Sequence, residues 1–187
     1  VAQGSHNGVI FYRGCIKDAA GGTCLFYRKI IMQLTQFTDL GLRVLLYVSY
    51  KERAQPATIG EIAASFDVSR NHLVKVVHFM AQQGWLLTTR GKGGGLALAH
   101  PLHWYRLGSI IQTLEELTEL VNCAGYQCRL QGKCQLKGIL NEALAAMFAV
   151  LDRYTLADAV AEPSQQVIVM LNQLGMKKAS AAMPEPV

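Results

Sequence analysis

Thr58-Ile-Gly-Glu-Ile-Ala-Ala-Ser-Phe-Asp-Val-Ser-Arg-Asn-His-Leu-Val-Lys-Val-Val-His-Phe-Met80, followed by Trp85-Leu-Leu-Thr-Thr-Arg-Gly-Lys-Gly-Gly-Gly-Leu-Ala-Leu-Ala99, is the stretch that decides the fold. Thr58-x-x-Glu61 is a capping box, in which hydroxyl and carboxylate each satisfy an orphan N–H at a helix start. Ile59, Ile62, Ala63 and Phe66 give that short helix its apolar face. Asp67-Val68 makes a brief turn, and Ser69 stands at the cap of the next helix. There Leu73, Val76, Val77 and Met80 recur at i, i+3, i+4 and i+7, the spacing of one buried helical face. Gly84 suits the left-handed position that ends such a helix. Helix, tight turn, helix is the helix-turn-helix arrangement.

The other side of the second helix carries Arg70, Asn71, His72, Lys75 and His78, side chains able to reach phosphates and base edges in a major groove. A solvated helix face accounts for them equally well on its own. The sequence that follows tips the balance. Trp85–Arg90 and Leu96–Ala99 are two strands joined by Gly91-Lys92-Gly93-Gly94-Gly95, whose glycines permit positive φ and close backbone approach. A basic β-hairpin directly after a helix-turn-helix is a winged helix. A glycine-rich nucleotide loop is rejected, because the strand-to-helix context and spacing of the phosphate-binding motifs are missing. The candidate DNA contacts are Thr58, Ser69, Arg70, Asn71, His72 and Lys75, with Arg90, Lys92, Gly93 and Gly94 on the wing.

Outward from this unit the chain continues as mainly α. Upstream, a helix is readable from Asp39, with Leu42, Leu45, Leu46 and Ser49 on one side and Thr38 available as its cap. After His100-Pro101 another helix places Leu107, Ile110, Ile111, Leu114 and Leu117 on one face. A long helix from about Leu136 carries a stripe of Leu140, Ala143, Met147, Val150, Leu151 and Tyr154. In so small a chain that stripe is expected to be a dimer interface, which suits a palindromic operator on double-stranded DNA. The expected organisation is an N-terminal extension (1–31) with no persuasive element, a winged helix-turn-helix DNA-binding domain (32–106), a cluster-binding loop with dimerisation helices (107–160), and a peripheral tail (161–187), partly disordered at its end. A fresh pattern begins at Met32, as though translation started there; a mobile N-terminal arm is the alternative.

The 187 residues are 51% hydrophobic and 17% charged, so the chain can bury a real core and is not a disordered one. The formal net charge is +5. Eight Lys and Arg against four acids fall between Met32 and Arg106, whereas six against eight follow, so the basic half is the one that holds the helix-turn-helix. No apolar run approaches the roughly 20 residues that span a bilayer. Five cysteines, an odd number, and no secretory signal point to a reducing cytoplasm rather than a disulfide-stapled domain. No nucleophile–base pair or poised pair of carboxylates is visible, Glu115-Glu116 being the polar side of a helix, so an enzyme is not expected.

Cys123, Cys128 and Cys134 form Cys-x4-Cys-x5-Cys in a loop-like stretch with two glycines and no apolar period. Thiolates suit iron–sulfur clusters, zinc and copper(I). A structural zinc takes four protein ligands, and no histidine stands nearby, so one position is filled otherwise. A winged-helix regulator that bears zinc, or one that uses the three cysteines as a thiol switch without metal, stays open at this point. Cys15 and Cys24 lie apart in the N-terminal stretch.

With these residues in view the chain resembles the Rrf2 family of winged-helix regulators, and within it the nitric-oxide-sensing branch whose members carry iron–sulfur clusters. The resemblance runs from Met32 to about Val160. It rests on Met32-Gln-Leu-Thr-Gln-Phe-Thr-Asp-Leu-Gly-Leu-Arg43, Val68-Ser-Arg-Asn-His72 with Val74-Lys75, Arg90-Gly-Lys-Gly-Gly-Gly95, Leu120-Val-Asn-Cys123 with the cysteine spacing, and Tyr154-Thr-Leu-Ala-Asp158. The iron–sulfur-biogenesis branch has one more residue between its first two cysteines and a ligating His three places after the last, where this chain has Lys137. The resemblance implies a cluster, 2Fe–2S or 4Fe–4S, held by Cys123, Cys128 and Cys134. It also implies a fourth ligand at Asp39 supplied by the partner subunit of a homodimer, with Arg43 supporting that carboxylate or the cluster's charge. It further implies a repressor whose intact cluster supports operator binding, and whose nitrosylation derepresses nitric-oxide detoxification genes. A first-turn carboxylate is favoured by the helix dipole in any case.

Overall fold

The computed structural model describes residues 11–13, 26–28, 33–53, 55–91, 93–121, 123, 128, 130 and 133–181. Lys92, Cys15 and Cys24 lie outside the described residues. Helices dominate, as the apolar spacing predicts: α1 (Gln36–Val48), α2 (Ile59–Phe66), α3 (Arg70–Gln82), α4 (Leu107–Glu115), α5 (Gln135–Leu151), α6 (Leu156–Ala159) and α7 (Ser164–Ala181). Where no element was expected upstream, β1 (Phe11–Arg13) pairs antiparallel with β2 (Phe26–Arg28), each strand being Phe-Tyr-Arg.

The start of α1 differs from the sequence expectation. Thr35, not Thr38, is the N-cap, and its hydroxyl accepts the Thr38 N–H at 3.3 Å. Thr38 is itself fully buried, one turn inside the helix. The buried face then runs through Leu40, Val44, Leu45, Tyr47 and Val48. In α2 the capping box forms as read: Thr58 Oγ1 accepts the Glu61 N–H at 3.2 Å, and Glu61 accepts the Thr58 N–H at 3.4 Å. Asp67 turns the chain in the left-handed region (φ 51°), which Asp tolerates better than most residues. Ser69 occupies the cap of α3 but its side chain makes no cap bond. The end of α3 is a Schellman motif at Gly84 (φ 71°), with the Trp85 N–H on the Met80 carbonyl and the Gly84 N–H on Ala81.

The wing strands β3 (Leu86–Thr89) and β4 (Gly95–Leu98) pair antiparallel, Leu86 opposite Leu98 and Thr89 opposite Gly95. Ala57 adds a single bridge to Leu96, whose N–H reaches the Ala57 carbonyl at 2.7 Å. One core joins these elements: Leu45, Ile62, Leu73, Val76, Met80, Trp85, Leu96, Tyr105 and Leu156. Tyr105 is fully buried after a short 3-10 turn (Leu102–Trp104) that the sequence pattern did not reveal. Its hydroxyl donates to the Trp85 carbonyl at 2.7 Å and accepts the His100 N–H at 3.0 Å, fastening the wing to the following segment.

A second, smaller core of Ile111, Leu144 and Phe148, with Leu117 and Leu151 against it, sets α4 on α5. The first turn of α4 is capped from a distance: Asp152, just past α5, accepts the Ser109 N–H at 2.7 Å. Tyr154, expected in the α5 stripe, lies beyond the helix end, where its carbonyl accepts the Leu107 N–H at 3.0 Å. The expectation of a peripheral tail does not hold for residues 164–181. They form the 18-residue α7, which packs on α1 and α2. Ile168 and Asn172, one turn apart, face inward and account for this, because together they bury an apolar and a hydrogen-bonded contact.

Candidate nucleic-acid interface and cysteine cavity

In α3 the two faces separate cleanly. Leu73, Val76, Val77 and Met80 are buried, while Arg70, Asn71, His72, Lys75 and His78 are exposed on the opposite side. Val74 is exposed among them at 44%. The polar set therefore occupies one accessible helix face, free of core contacts. Thr58 is exposed at the N-terminus of α2, where its hydroxyl is committed to the cap. On the wing Arg90 and Gly93 are exposed, and the Gly94 N–H closes the tip on the Gly91 carbonyl at 3.0 Å. Gly94 has no alternative residue: a Cβ there would overlap the Thr89 carbonyl and lie 2.9 Å from the Arg90 carbonyl carbon.

Between α1, α2 and α7 sits a buried polar network that the residue pattern did not single out. Arg53 Nη2 alone donates to both Glu61 oxygens, at 2.7 and 2.9 Å, with side chains only 8% and 5% exposed. Tyr47 Oη donates to Glu61 Oε1 at 2.8 Å. Burial pushes the Tyr47 phenol above its ordinary range, the Ser65 hydroxyl opposing this and Glu61 reinforcing it. The third branch reaches α7, where Arg53 donates to Asn172 Oδ1. In the sequence Arg53 is one cation in a polar run. Its only signal was the capping-box glutamate eight residues on.

The three cysteines are free thiols of intermediate burial that line one cavity of about 450 Å³ with Lys133, Gln135, Lys137, Gly138 and Asn141. Cys134 is the N-cap residue of α5, so the cavity lies at the positive end of a 17-residue helix. Lys137 pairs with Glu119 at 2.7 Å, and that bond holds its ammonium pKa above the usual value. Among the described residues no three His, Cys, Asp or Glu side chains converge closely enough to bind a single metal ion. Three thiolates, two ammonium groups and a helix N-terminus around one cavity are a soft donor set in positive surroundings, which fits an anionic metal–thiolate centre such as an iron–sulfur core.

Asp39 is not among the residues lining that cavity in its own chain. Its carboxylate is held fork-to-fork by Arg43 at 3.0 Å on both sides, with the Asp39 side chain 48% exposed. One further contact links the two regions. Glu115, the last residue of α4 before the cysteine segment, accepts the Thr35 N–H at 2.6 Å and the Thr35 hydroxyl at 3.1 Å. The residue assigned to a plain polar helix side thus grips the start of α1, one turn ahead of Asp39.

The outer face of α5 is apolar and uncovered: Leu136, Ile139, Met147 and Val150 are exposed, with Ala143 between them. Of the stripe read from the sequence, Leu151 turns instead into the α4–α5 core.

Residues 34–162 match the model of a protein family, Rrf2, described as an iron-dependent transcriptional regulator. The chain belongs to the Rrf2 family. Solved structures agree on the fold. CymR, the global cysteine regulator of B. subtilis, is 23% identical over 69% of this chain and 96% of its own, with a TM-score of 0.57. A transcriptional regulator from Listeria innocua is also 23% identical, over 70% and 88%, at 0.58. IscR of T. potens is 20% identical over 83% and 94%, at 0.53. This Rrf2 chain is therefore a winged-helix, DNA-binding transcriptional regulator, and among its described residues no helix is long and apolar enough to cross a membrane.

Proposed function

We propose that this Rrf2 regulator is a cytoplasmic, homodimeric repressor of the kind NsrR represents, silencing its operator while an iron–sulfur cluster is intact and releasing it when nitric oxide arrives. The observation that carries the reading is the cavity shared by Cys123, Cys128 and Cys134 at the N-terminus of α5. Those three thiolates hold the cluster, 2Fe–2S or 4Fe–4S, and the partner subunit's Asp39 is the fourth ligand. When bound, the cluster supplies the centre with which nitric oxide reacts. Lys137 is engaged by Glu119 and supplies no ligand at the position where the iron–sulfur-biogenesis branch has histidine.

The chain's own residues carry the rest. The exposed stripe of α5 pairs two copies, which sets two α3 helices on a palindromic operator. Arg70, Asn71, His72 and Lys75 enter the major groove, and Thr58, Ser69 and the wing (Arg90, Lys92, Gly93, Gly94) hold the backbone. Arg43 holds Asp39 in position. Glu115 ties the segment that feeds the cysteine loop to the cap of α1, and α1 packs on α3. A coupling of about 1–3 kcal/mol between the two sites changes operator affinity roughly 5- to 150-fold.

The test is iron, acid-labile sulfide and zinc per chain in protein purified without oxygen, for the wild type and Cys128→Ala. Iron with matching sulfide in the wild type, lost in the variant together with nitric-oxide-dependent release of DNA, is the expected outcome. Colourless wild-type protein without sulfide would leave a thiol or zinc switch in a winged-helix regulator.

A further inference from the structure

The family match ends at residue 162, yet α7, beyond it, packs on α2 and hydrogen-bonds to α1 and to Arg53, the residue that in turn holds α2. Asn172 is completely buried and every side-chain polar atom is used: its Nδ2 donates to the Tyr47 carbonyl at 3.3 Å and the Ile168 carbonyl at 2.9 Å, and its Oδ1 accepts from Arg53. One guanidinium therefore divides its donors between α7 and the Glu61 carboxylate of α2. Glu61 is also the residue that closes the α2 capping box. α7 thus reaches the group that organises the N-terminus of α2 through Arg53, which Asn172 and Glu61 share. Close approach is built in at Gly175, where a Cβ would collide with the Tyr47 hydroxyl and fall 2.5 Å from Ser65 Oγ.

We propose that α7 is a working part of the DNA-reading unit, with Asn172 and Arg53 as positioning residues that set the angle of α2, and hence of α3, on the operator. An apolar contact between α7 and α2 would stabilise the chain equally well, since a buried ion pair gives back most of its Coulomb energy in desolvation. What hydrogen bonds add is direction. A forked guanidinium linking two helices allows one relative geometry, whereas apolar side chains slide. The proposal needs only the DNA-binding property of the family and is independent of the cysteine cavity.

The experiment uses the full-length chain purified without oxygen. A duplex selected from a random pool by the wild type, and a scrambled duplex of equal length, serve as probes in fluorescence anisotropy. Asn172→Leu keeps the side-chain volume and removes the bridge. Its expected effect, at a temperature where the variant is fully folded, is roughly tenfold weaker binding of the selected duplex with less than about twofold change on the scrambled one. Amide hydrogen exchange should quicken in α2 and α3 and stay unchanged in α5. Undiminished affinity for the selected duplex, or equal weakening on both duplexes, would overturn the proposal and leave α7 a stabilising strut. Should Asn172→Leu not fold, Arg53→Lys retains the charge toward Glu61 but not the fork, and the same two duplexes decide.

Discussion

Replacing Glu61 with alanine should be among the most destabilising single changes outside the apolar core. The Arg53–Glu61 pair is nearly solvent-free, at 8% and 5% side-chain exposure. Removing one partner leaves an uncompensated buried guanidinium, which costs about 3–5 kcal/mol. The Tyr47 hydroxyl keeps Ser65 at 3.2 Å, so its loss is small. The capping back-bond to the Thr58 N–H is long, at 3.4 Å, and adds only a few tenths of a kcal/mol. The total is about 4 kcal/mol, against a stability of roughly 5–15 kcal/mol for a domain. At roughly 2–4 °C per kcal/mol for a chain of this size, Tm should fall by about 8–16 °C. Urea unfolding followed by far-UV circular dichroism and by tryptophan fluorescence measures it, Trp85 being buried beside α3. The double variant Arg53→Met/Glu61→Leu should recover part of the loss, because neither charge is then stranded while Asn172 Oδ1 still loses its donor. A Glu61→Ala cost under about 1 kcal/mol, or a double variant as unstable as the single, would refute the reasoning.

Other perturbations probe different parts. Ile139→Glu, on the exposed face of α5 (57% exposed), should weaken dimerisation by about 3 kcal/mol, roughly 100-fold, with helix content unchanged; sedimentation showing an intact dimer would place the interface elsewhere. Gly94→Ala must open the wing tip away from the Thr89 carbonyl, and anisotropy should report about fivefold weaker binding on specific and scrambled duplexes alike, near 1 kcal/mol. Tyr105→Phe takes the acceptor from the His100 N–H, while the Trp85 carbonyl keeps the Ala99 N–H at 3.1 Å, and should cost about 1–3 kcal/mol at neutral pH. Burial raises the Tyr105 phenol above 10.0, so the folded state holds its proton after the unfolded state has lost it. That contribution is complete below pH 10 and disappears as pH rises beyond it. Stability of the wild type should therefore fall more steeply above pH 10 than that of Tyr105→Phe, and parallel curves would contradict this.

Features that depend only on neighbours along the chain are legible in the residues. The capping box at Thr58, the buried set Leu73, Val76, Val77 and Met80, the helix stop at Gly84 and the glycine-rich wing are all local: 3.6-residue periodicity, an orphan N–H, a positive φ. The outward set of α3 was legible as the complement of that face, and the three cysteines by their spacing. The rest turns on partners distant in sequence. Thr35 outcompetes Thr38 as cap of α1, with Thr38 buried and Glu115, eighty residues away, holding Thr35. Asp152 caps α4 across forty-three residues. Asn172 looks like a polar residue in a weakly patterned tail until Arg53, 119 residues earlier, is found against it. A buried polar side chain has no periodic signature, since its stability comes from the particular groups that satisfy it, and only the folded chain supplies those.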